Sequence, residues 1–365
     1  MLKLIQAHAS TLGVEVQELE HYLDLVATAS AADIVPILDE NRVLTYFGMQ
    51  VYQQSPRPGL MALLGERKQR AITVTDLVFR VAPRINAAGR MKHGTYAVGL
   101  WLSETTEEAS KRAEAIEAFN EDRKALDRDI TEQALAQIEE SGQTNKTSTV
   151  VYDPNWHKGV IGIVASRLIE THYKPTVVFT RSGDVLTASA RSVRGFDLYA
   201  ALSECQEYMI QFGGHKYAAG LTIRPEQYDG FCECFEQVVS RQIQPDQQER
   251  TLRIDMEIPI EEITPKFYRI INQMAPFGPG NMRPVLLSKE VTDRGYAKRV
   301  GSDETHLKCS FVVGAQSIDA IGFGLGDALE TVQSSACDIA YVVDENEWNG
   351  KMSLQLNLKG MQEAT

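Results

Sequence analysis

The sequence lacks any apolar run approaching the 18 or more residues that a membrane-spanning helix requires. Its N-terminus also lacks the basic-then-apolar pattern of a secretion signal. These two absences predict a protein that is located in the cytoplasm and has no membrane partner.

Cysteine is scarce, with five thiols among 365 residues. None stands in a Cys-x-x-Cys pair or at a Cys/His spacing typical of zinc. The five are Cys205, Cys232, Cys234, Cys309 and Cys337. Because an odd thiol is left over in any pairing scheme, the sequence predicts reduced cysteines in a reducing compartment.

Positive charge is also in deficit, since the net charge is −12. This balance argues against an indiscriminate nucleic-acid binder, but the distribution of charge is uneven. Residues 77–103 contain Arg80, Arg84, Arg90 and Lys92 and no acid, and residues 154–196 contain six bases against two acids. Two positive patches on an acidic protein predict an anionic ligand held in a defined groove.

The length of the chain predicts two or three domains rather than one core. Between Ser103 and Gly142 one face of a helical pattern stays apolar, and Thr105 with Glu108 predicts a capping box at its start. About 35 helical residues would span roughly 50 Å, a length that favours a connector between domains.

The residues before this helix predict smaller elements. The segment 2–12 is helical in pattern, and the apolar run at 22–27 predicts a buried strand that ends near Asp33. Ligands bind at the carboxyl ends of strands in open α/β sheets, so Asp33 is either a ligand-binding residue or an N-cap or turn aspartate. Helical patterns follow at 41–53 and 59–64.

After the long helix, strand-like and helix-like segments alternate and predict a second α/β domain. The strands are expected at 149–152, 175–180, 186–190 and 221–223, and the helices at 159–171, 198–211 and 225–243. Beyond residue 246 the pattern is all strand, with strict alternation from Leu252 to Ile260 and from Met352 to Leu358. With a hairpin turn at Asn349 and Gly350, this predicts a small β-barrel of the OB type.

One stretch combines three glycines with a histidine. Gly213 and Gly214 free the backbone and let a ligand approach closely, and His215 offers an imidazole for donation or proton transfer. The alternative interpretation is a tight turn with a hydrogen-bonded histidine.

Three further motifs favour an anionic ligand. Gly159 and Gly162 surround a helix start next to His157 and Lys158, where free N–H groups would attract an anion, although tight helix packing explains the glycines equally well. Ser189 and Ser192 flank Arg191, and a guanidinium with hydroxyl groups on both sides is well suited to bind a phosphate. Arg84, Asn86 and Arg90 occupy a loop without acids, which favours phosphate or base contacts.

Taken in order, these motifs closely resemble the RecJ family of bacterial single-strand-specific 5′→3′ DNA exonucleases, within the DHH phosphoesterase superfamily. The matching segments are 23–27 with Ala32-Asp33, 83–91, Trp156-His157 with 159–162, 189–192, 213–215 with 218–220, and 275–278 with Gly280-Asn281 and Pro284. Six motifs in the same order over nearly the whole chain make this resemblance specific.

The resemblance implies an α/β fold class with four parts. These are the C-terminal part of a DHH α/β domain at 1–103, a connector helix at 104–142, a DHHA1 α/β domain at 143–245, and an OB-type barrel at 246–365 that holds single-stranded DNA.

The resemblance also implies roles for individual residues. Family members use two Mn²⁺ or Mg²⁺ ions to activate water against a phosphodiester. Asp33 matches a metal ligand, and His215 matches a catalytic position. The residues expected to bind substrate are Arg84, Asn86, Arg90, His157, Lys158, Ser189, Arg191, Ser192, Gly213 and Gly214. The expected partners are single-stranded DNA, a helicase and a single-strand-binding protein.

The sequence departs from the family in its metal ligands. No Asp-His-His triplet occurs, and Ala29 stands where the family usually has a glycine. We therefore expect a RecJ chain without its N-terminal portion, which binds DNA but is inactive alone. A non-catalytic single-strand-binding or adaptor protein is the alternative. A DHH relative that acts on short oligonucleotides or cyclic dinucleotides is less favoured, because small substrates do not require an OB domain.

Overall fold

The structure, a computed structural model, describes residues 2–13, 15–65, 71–348 and 350–364. The chain divides into two compact units. The first comprises Met1–Ser55, Ala71–Leu77 and Leu252–Thr365, and the second comprises Pro56–Arg70 and Val78–Thr251. Within the described ranges, no helix has the length and apolar character needed to cross a bilayer. The four domain limits expected from the sequence stay a prediction.

The α-helices lie mainly in the first two thirds of the chain. They are α1 (Leu2–Ala7), α2 (Ala9–Leu12), α3 (Leu23–Ala32), α4 (Asp39–Gln54), α5 (Pro58–Leu64), α6 (Val74–Asp76), α7 (Ala82–Met91), α8 (Thr95–Trp101), α9 (Thr106–Glu140), α10 (Ile161–Thr171), α11 (Leu198–Glu204), α12 (Tyr228–Gln242), α13 (Pro265–Asn272) and α14 (Leu329–Ser334).

The strands form two separate sheets. They are β1 (Thr149–Tyr152), β2 (Thr176–Ser182), β3 (Val185–Arg191), β4 (Met209–His215), β5 (Ala218–Ile223), β6 (Met256–Glu257), β7 (Leu286–Val291), β8 (Lys298–Val300), β9 (His306–Val313), β10 (Gln316–Gly322), β11 (Cys337–Trp348) and β12 (Lys351–Glu363).

In the first unit, α3 and α4 pack tightly against each other. A Cβ on Gly48 of α4 would lie 2.2 Å from the carbonyl oxygen of Leu23, so only glycine allows this approach. The predicted strand at 22–27 is therefore wrong, because most of it belongs to α3. Periodicity does not separate a short apolar run in a strand from one in a helix, and the alanines that follow favour helix.

The sheet of the first unit has the order β6-β7-β11-β12-β10-β9-β8, and its core includes Phe311, Tyr341 and Leu356. The predicted strand at 352–358 is confirmed within β12. The predicted strand at 252–260 is wrong except for Met256–Glu257. Pro259 has no N–H for a ladder bond, and a 3₁₀ turn, Ile260–Glu262, follows it. Asn349 of the predicted hairpin turn lies outside the described residues.

In the second unit, the predicted long helix is confirmed as α9. The Thr105 side chain accepts a hydrogen bond from the N–H of Glu108. Only half of the predicted capping box forms, because the Glu108 carboxylate accepts from the N–H of Glu104 instead. Salt bridges at i,i+4 spacing, such as Lys111 to Glu107 at 2.7 Å, add modest support. The role of α9 as a connector stays a prediction.

The sheet of the second unit has the order β1-β2-β3-β5-β4, with β1 and β2 parallel and the other pairs antiparallel. One face packs on α11 and α12, and over β1 and β2 the other face packs on α9 and α10. This arrangement confirms the predicted α/β domain. The predicted helix at 198–211 ends early, at Glu204, because Met209 onward joins the sheet as β4.

The predicted loop around Arg84, Asn86 and Arg90 is wrong, since all three lie in α7. Pro83 stands in the first turn of this helix, where its missing N–H costs nothing. Alanines then support the helix through the rest of its length.

Candidate nucleic-acid interface

The register of three adjacent strands, β3, β5 and β4, brings most of the predicted site residues together. Two rows of directly paired residues cross these strands. In the order β3, β5, β4, the first row is Arg191, Ala218 and His215, and the second row is Ser189, Gly220 and Gly213. Directly paired residues share a face of a sheet, and residues two apart in a strand share it as well. These six residues therefore lie on one side of the sheet, which we call the open face.

Helix α10 covers this side of the sheet only as far as β3. A Cβ on Gly162 would lie 2.9 Å from the Ser189 Oγ and 3.1 Å from an Arg191 Nη, so α10 closely approaches Ser189 and Arg191. Strand β4 is the edge of the sheet, and Gly213, His215 and Gly220 are exposed. The open face thus has a wall at α10 and, between Ser189 on β3 and the sheet edge, a floor formed by the backbone of Gly220 and Gly213.

The glycines of this floor are not required by packing. A Cβ on Gly213 would meet no atom within 4 Å, and one on Gly220 would make only an ordinary 3.8 Å contact. Neither residue has a positive φ. Gly214 differs, since its φ is +154° and a Cβ would lie 2.3 Å from the Ala218 carbonyl oxygen. Gly214 is explained by the backbone, whereas Gly213 and Gly220 leave open space above the sheet.

Arg191 lies half-buried at the edge of the floor. Its Nη1 donates to the Ser189 Oγ at 3.1 Å and to the Ala190 carbonyl oxygen at 2.8 Å, and both of these acceptors are neutral. Burial, followed by repulsion from Arg90, lowers the pKa of the Arg191 guanidinium. An anion bound here would relieve that repulsion.

The Arg90 side chain links α7 to the turn before α10 through a hydrogen bond. Its Nη1 donates to the Gly159 carbonyl oxygen at 3.2 Å. Although its side chain reaches solvent, burial of part of the group and repulsion from Arg123 lower the pKa of the Arg90 guanidinium. The sequence predicts Arg90 and Arg191 as separate motifs, and the structure places them close enough to repel each other.

Arg123 is a component that the sequence did not indicate. It lies on α9, its side chain is only 12% exposed, and its Nε is buried without a hydrogen-bond partner among the described residues. Its Nη2 donates to the Asn120 side chain at 2.9 Å, and its Nη1 lies 3.8 Å from a carboxylate oxygen of Asp127. Arg123 is one charge among many on α9, so no sequence signal separates it from the solvated charges.

The predicted anion site at the start of α10 is only partly supported. The N–H of Gly159 donates to Nδ1 of His157, and the N–H groups of Val160 and Ile161 donate to the His157 carbonyl oxygen. These three donors are therefore occupied and not free, which corrects the expectation. Lys158 is exposed beside them and His157 is half-buried.

Arg84 is paired with an acid, contrary to the expectation drawn from its local sequence. Its Nε donates to a Glu117 carboxylate oxygen from α9, and its Nη1 donates to the Arg80 carbonyl oxygen at 2.6 Å. Burial alone would raise the pKa of Glu117, but the hydrogen bonds from Arg84 and Asn120 lower it. Asn86 lies half-buried on the same helix.

His215 and Ser192 have defined hydrogen bonds. Nδ1 of His215 accepts from the N–H of Tyr217 at 3.3 Å, so a neutral ring carries its proton on Nε2 and offers a donor to solvent. The Ser192 hydroxyl donates to the Phe196 carbonyl oxygen at 3.1 Å. Ser192 therefore stabilises the turn after β3.

Asp33 belongs to the first unit, where it follows α3 and is exposed. Its N–H donates to the Ala29 carbonyl oxygen at 3.0 Å, and Ile34 next to it has a φ of +54°. Over residues 2–13, 15–65, 71–348 and 350–364, no group of three or more His, Cys, Asp or Glu side chains could hold a metal ion. Asp33 and its surroundings do not fit a metal centre by themselves.

The glycine-rich turn 275–281 contacts the segment that follows Asp33, within the first unit. The N–H of Ile37 donates to the Pro279 carbonyl oxygen at 2.6 Å, and Nη2 of Arg42 donates to the Met274 carbonyl oxygen at 3.0 Å. A Cβ on Gly278 would lie 2.4 Å from Cγ1 of Ile37. This turn, one of the six motifs that carry the family resemblance, thus packs against the chain itself.

Two family models match the chain in the expected order. The DHHA1 domain matches residues 145–241, and the RecJ OB domain matches residues 254–360. Together these ranges cover more than half of the chain. The chain belongs to the RecJ family.

Individual RecJ proteins match over most of this chain. The single-stranded-DNA-specific exonuclease RecJ of Bacillus subtilis is 32% identical over 93% of the chain and 44% of its own length. The Escherichia coli protein of the same description is 32% identical over 94% of the chain and 61% of its own length. The chain therefore spans about half of the length of these relatives.

A solved RecJ structure confirms the fold. The crystal structure of RecJ from Thermus thermophilus in complex with Mg²⁺ is 25% identical, with a TM-score of 0.81 over 98% of this chain and 54% of the other. A second crystal structure of the same protein, in complex with Mn²⁺, gives the same TM-score. The α/β fold with DHHA1 and OB domains is thus shown, and both metals occur in RecJ structures.

Proposed function

We propose that this chain is the DNA-binding and phosphate-binding part of a single-strand-specific 5′→3′ exonuclease of the RecJ type. The observation that carries the proposal is the open face. It combines a paired Ser189 and Arg191, a glycine floor and an exposed His215 on three neighbouring strands. Such a surface accepts a phosphodiester from solvent and offers it donors from two sides.

Within this proposal, Arg191 and Arg90 neutralise the phosphate, and the Ser189 hydroxyl adds a neutral donor. Arg123 stands behind Arg90 and repels it, although the ion pair with Asp127 offsets part of the Arg123 charge. His215 acts from the opposite side of the floor, where its Nε2 can donate to a phosphate oxygen or transfer a proton in the complete enzyme. Gly213 and Gly220 admit the sugar and phosphate to the sheet surface.

The other predicted residues have smaller roles in the proposal. Lys158 contributes charge at the rim, His157 shapes the turn before α10, and Gly214 shapes the β4–β5 hairpin. Ser192 holds the turn after β3. Arg84 and Asn86 extend the contact surface along α7, with Arg84 exchanging Glu117 for a phosphate when DNA binds.

The complete reaction is proposed to be a phosphodiester hydrolysis supported by two Mn²⁺ or Mg²⁺ ions, releasing 5′-mononucleotides during DNA repair and recombination. Of the metal ligands, this chain offers Asp33. One carboxylate does not hold two divalent ions against hydration, so we expect binding of single-stranded DNA and little or no nuclease activity. A helicase and a single-strand-binding protein are the proposed partners, in the cytoplasm.

Arg191→Ala tests the proposal through the salt dependence of binding. Fluorescence anisotropy with a labelled single-stranded oligonucleotide, at several salt concentrations, gives the slope of log K against log salt. Loss of one phosphate contact makes the slope shallower by about 0.7. Arg181→Ala is the matched control, because Arg181 is exposed on β2 and donates to the Gly183 carbonyl oxygen. An unchanged slope for Arg191→Ala removes this residue from the contact surface.

A second candidate function is a single-strand-binding or adaptor protein without catalysis. It is favoured by the metal finding, since the described residues contain no group of three or more side chains able to hold a metal ion. Both functions predict little or no release of mononucleotides when the pure chain is incubated with a 5′-tailed single strand and Mn²⁺. Robust release of mononucleotides overturns both the adaptor function and the expected inactivity.

A further inference from the structure

Two cysteines of the second unit lie in direct contact. The Sγ atoms of Cys205 and Cys234 are 2.9 Å apart, within about 0.9 Å of a disulfide bond length. Both thiols are free. Cys205 ends α11 and is fully buried, whereas Cys234 lies on α12 and is partly exposed. The pair therefore joins one fully buried residue to one partly exposed residue.

The segment between these cysteines carries much of the open face. It contains β4 and β5 with Gly213, His215 and Gly220, and then the first turn of α12. A bond between Cys205 and Cys234 would close a covalent loop around this hairpin. Closing a loop restricts the unfolded chain and so stabilises the segment inside it.

The surroundings disfavour a reactive thiolate. Burial and contact with Cys234 raise the pKa of the Cys205 thiol, and Glu204 and Glu207 add to this effect. The neighbouring Cys232 shows the same effect, since burial raises the pKa of its thiol to about 11. The step in which the Cys205 thiol reacts is then slow at neutral pH, although the short distance between the two sulfurs favours the product.

We propose that Cys205 and Cys234 form a reversible disulfide by exchange with low-molecular-weight disulfides, and that this bond locks the β4–β5 hairpin. The Cys234 thiolate attacks one sulfur of the small disulfide and releases one small thiol. The Cys205 thiol then loses its proton, attacks Sγ of Cys234 in the mixed disulfide and releases the second small thiol. The two cysteines lose two electrons, and the small disulfide gains them. This inference does not depend on the proposed function.

The test is incubation of the full chain with oxidised glutathione, followed by alkylation and peptide mass spectrometry under non-reducing conditions. We expect a Cys205–Cys234 crosslink, while Cys232, Cys309 and Cys337 stay alkylated. The oxidised chain should unfold at a temperature higher by about 5 °C. Amide exchange in β4 and β5 should slow, and dithiothreitol should reverse all three changes.

Two variants separate the pair from its neighbours. Cys234→Ala should abolish both the crosslink and the rise in unfolding temperature, and Cys232→Ala should change neither. If Cys205→Ala and Cys234→Ala destabilise the fold, the crosslink in the unaltered chain still decides whether Cys205 and Cys234 form a disulfide. A crosslink through Cys232, or fully alkylated Cys205 and Cys234 after prolonged oxidation, overturns the proposal.

Discussion

The β4–β5 hairpin and the turn 275–281 look alike in sequence and differ in structure. Each contains two nearby glycines next to a polar side chain that can bind a ligand, His215 or Asn281. In the hairpin, a Cβ on Gly213 would meet empty space. In the turn, a Cβ on Gly278 would overlap Ile37, which is 1% exposed. One glycine leaves room for another molecule, and the other makes room for the chain itself.

Each motif also has one glycine that the backbone requires. Gly214 has a φ of +154°, and Gly280 has a φ of +80° with Leu38 against it. The polar side chains differ as Gly213 and Gly278 do, because one is open to solvent and the other contacts its own chain. His215 is exposed and accepts a hydrogen bond at Nδ1 alone among the described contacts, whereas the Asn281 amide donates to the Met274 and Pro276 carbonyl oxygens within its own turn. The comparison separates a proposed ligand surface from an internal brace.

Gly214→Ala should have the largest effect on stability. Its Cβ would lie 2.3 Å from the Ala218 carbonyl oxygen and 2.5 Å from the Ala219 Cα, which are backbone atoms that cannot move aside. With the unfavourable φ added, we expect a loss of about 3 kcal/mol or more in the free energy of unfolding. Urea unfolding measures this loss, and amide exchange in β4 and β5 locates it. Stability equal to that of the unaltered chain would show that the hairpin tolerates a side chain here.

Gly278→Ala should destabilise the first unit by about 2 kcal/mol, because its Cβ overlaps Cγ1 of a buried Ile37. Ile37→Ala removes that atom and leaves a cavity, which is costly by itself. In the double variant the new methyl group occupies part of this cavity. The two changes together should then be less destabilising than their sum by at least about 1 kcal/mol.

The double-mutant cycle, measured by urea unfolding, decides whether turn 275–281 braces the segment after Asp33. Additive losses contradict this contact. Amide exchange in β4 and β5 is the control readout, because these strands belong to the second unit and Gly278 belongs to the first.

The sequence was sufficient to identify the motifs, but their partners come from long-range pairing. Ser189, Gly213 and His215 were predicted as site residues, yet only the register of β3, β5 and β4 places them on one face. The same limit explains Arg84, whose local sequence contains no acid. Its partner Glu117 lies 33 residues away on α9.

Local patterns predicted long elements better than short ones. Helix α9 has a sustained apolar face and a capping threonine, so its pattern was unambiguous. The run at 22–27 is too short to separate strand from helix, and α7 was hidden by Gly89 and Pro83. Arg123 had no signal at all, because its burial depends on packing that a single helix does not reveal.

Gly213→Ala should have the smallest effect on stability and still weaken DNA binding. A methyl group here meets no protein atom within 4 Å, and alanine loses less backbone entropy on folding than glycine does. We therefore expect the free energy of unfolding to stay the same or to rise by up to about 1 kcal/mol. Anisotropy should show weaker binding of single-stranded DNA, because the methyl group occupies the floor of the open face. Gly94→Ala is the matched control, since its Cβ also meets open space and its φ is −60°, but it lies outside that face. Unchanged affinity for Gly213→Ala would mean that no ligand group approaches the floor, and the distinction between the two glycine motifs would then fail.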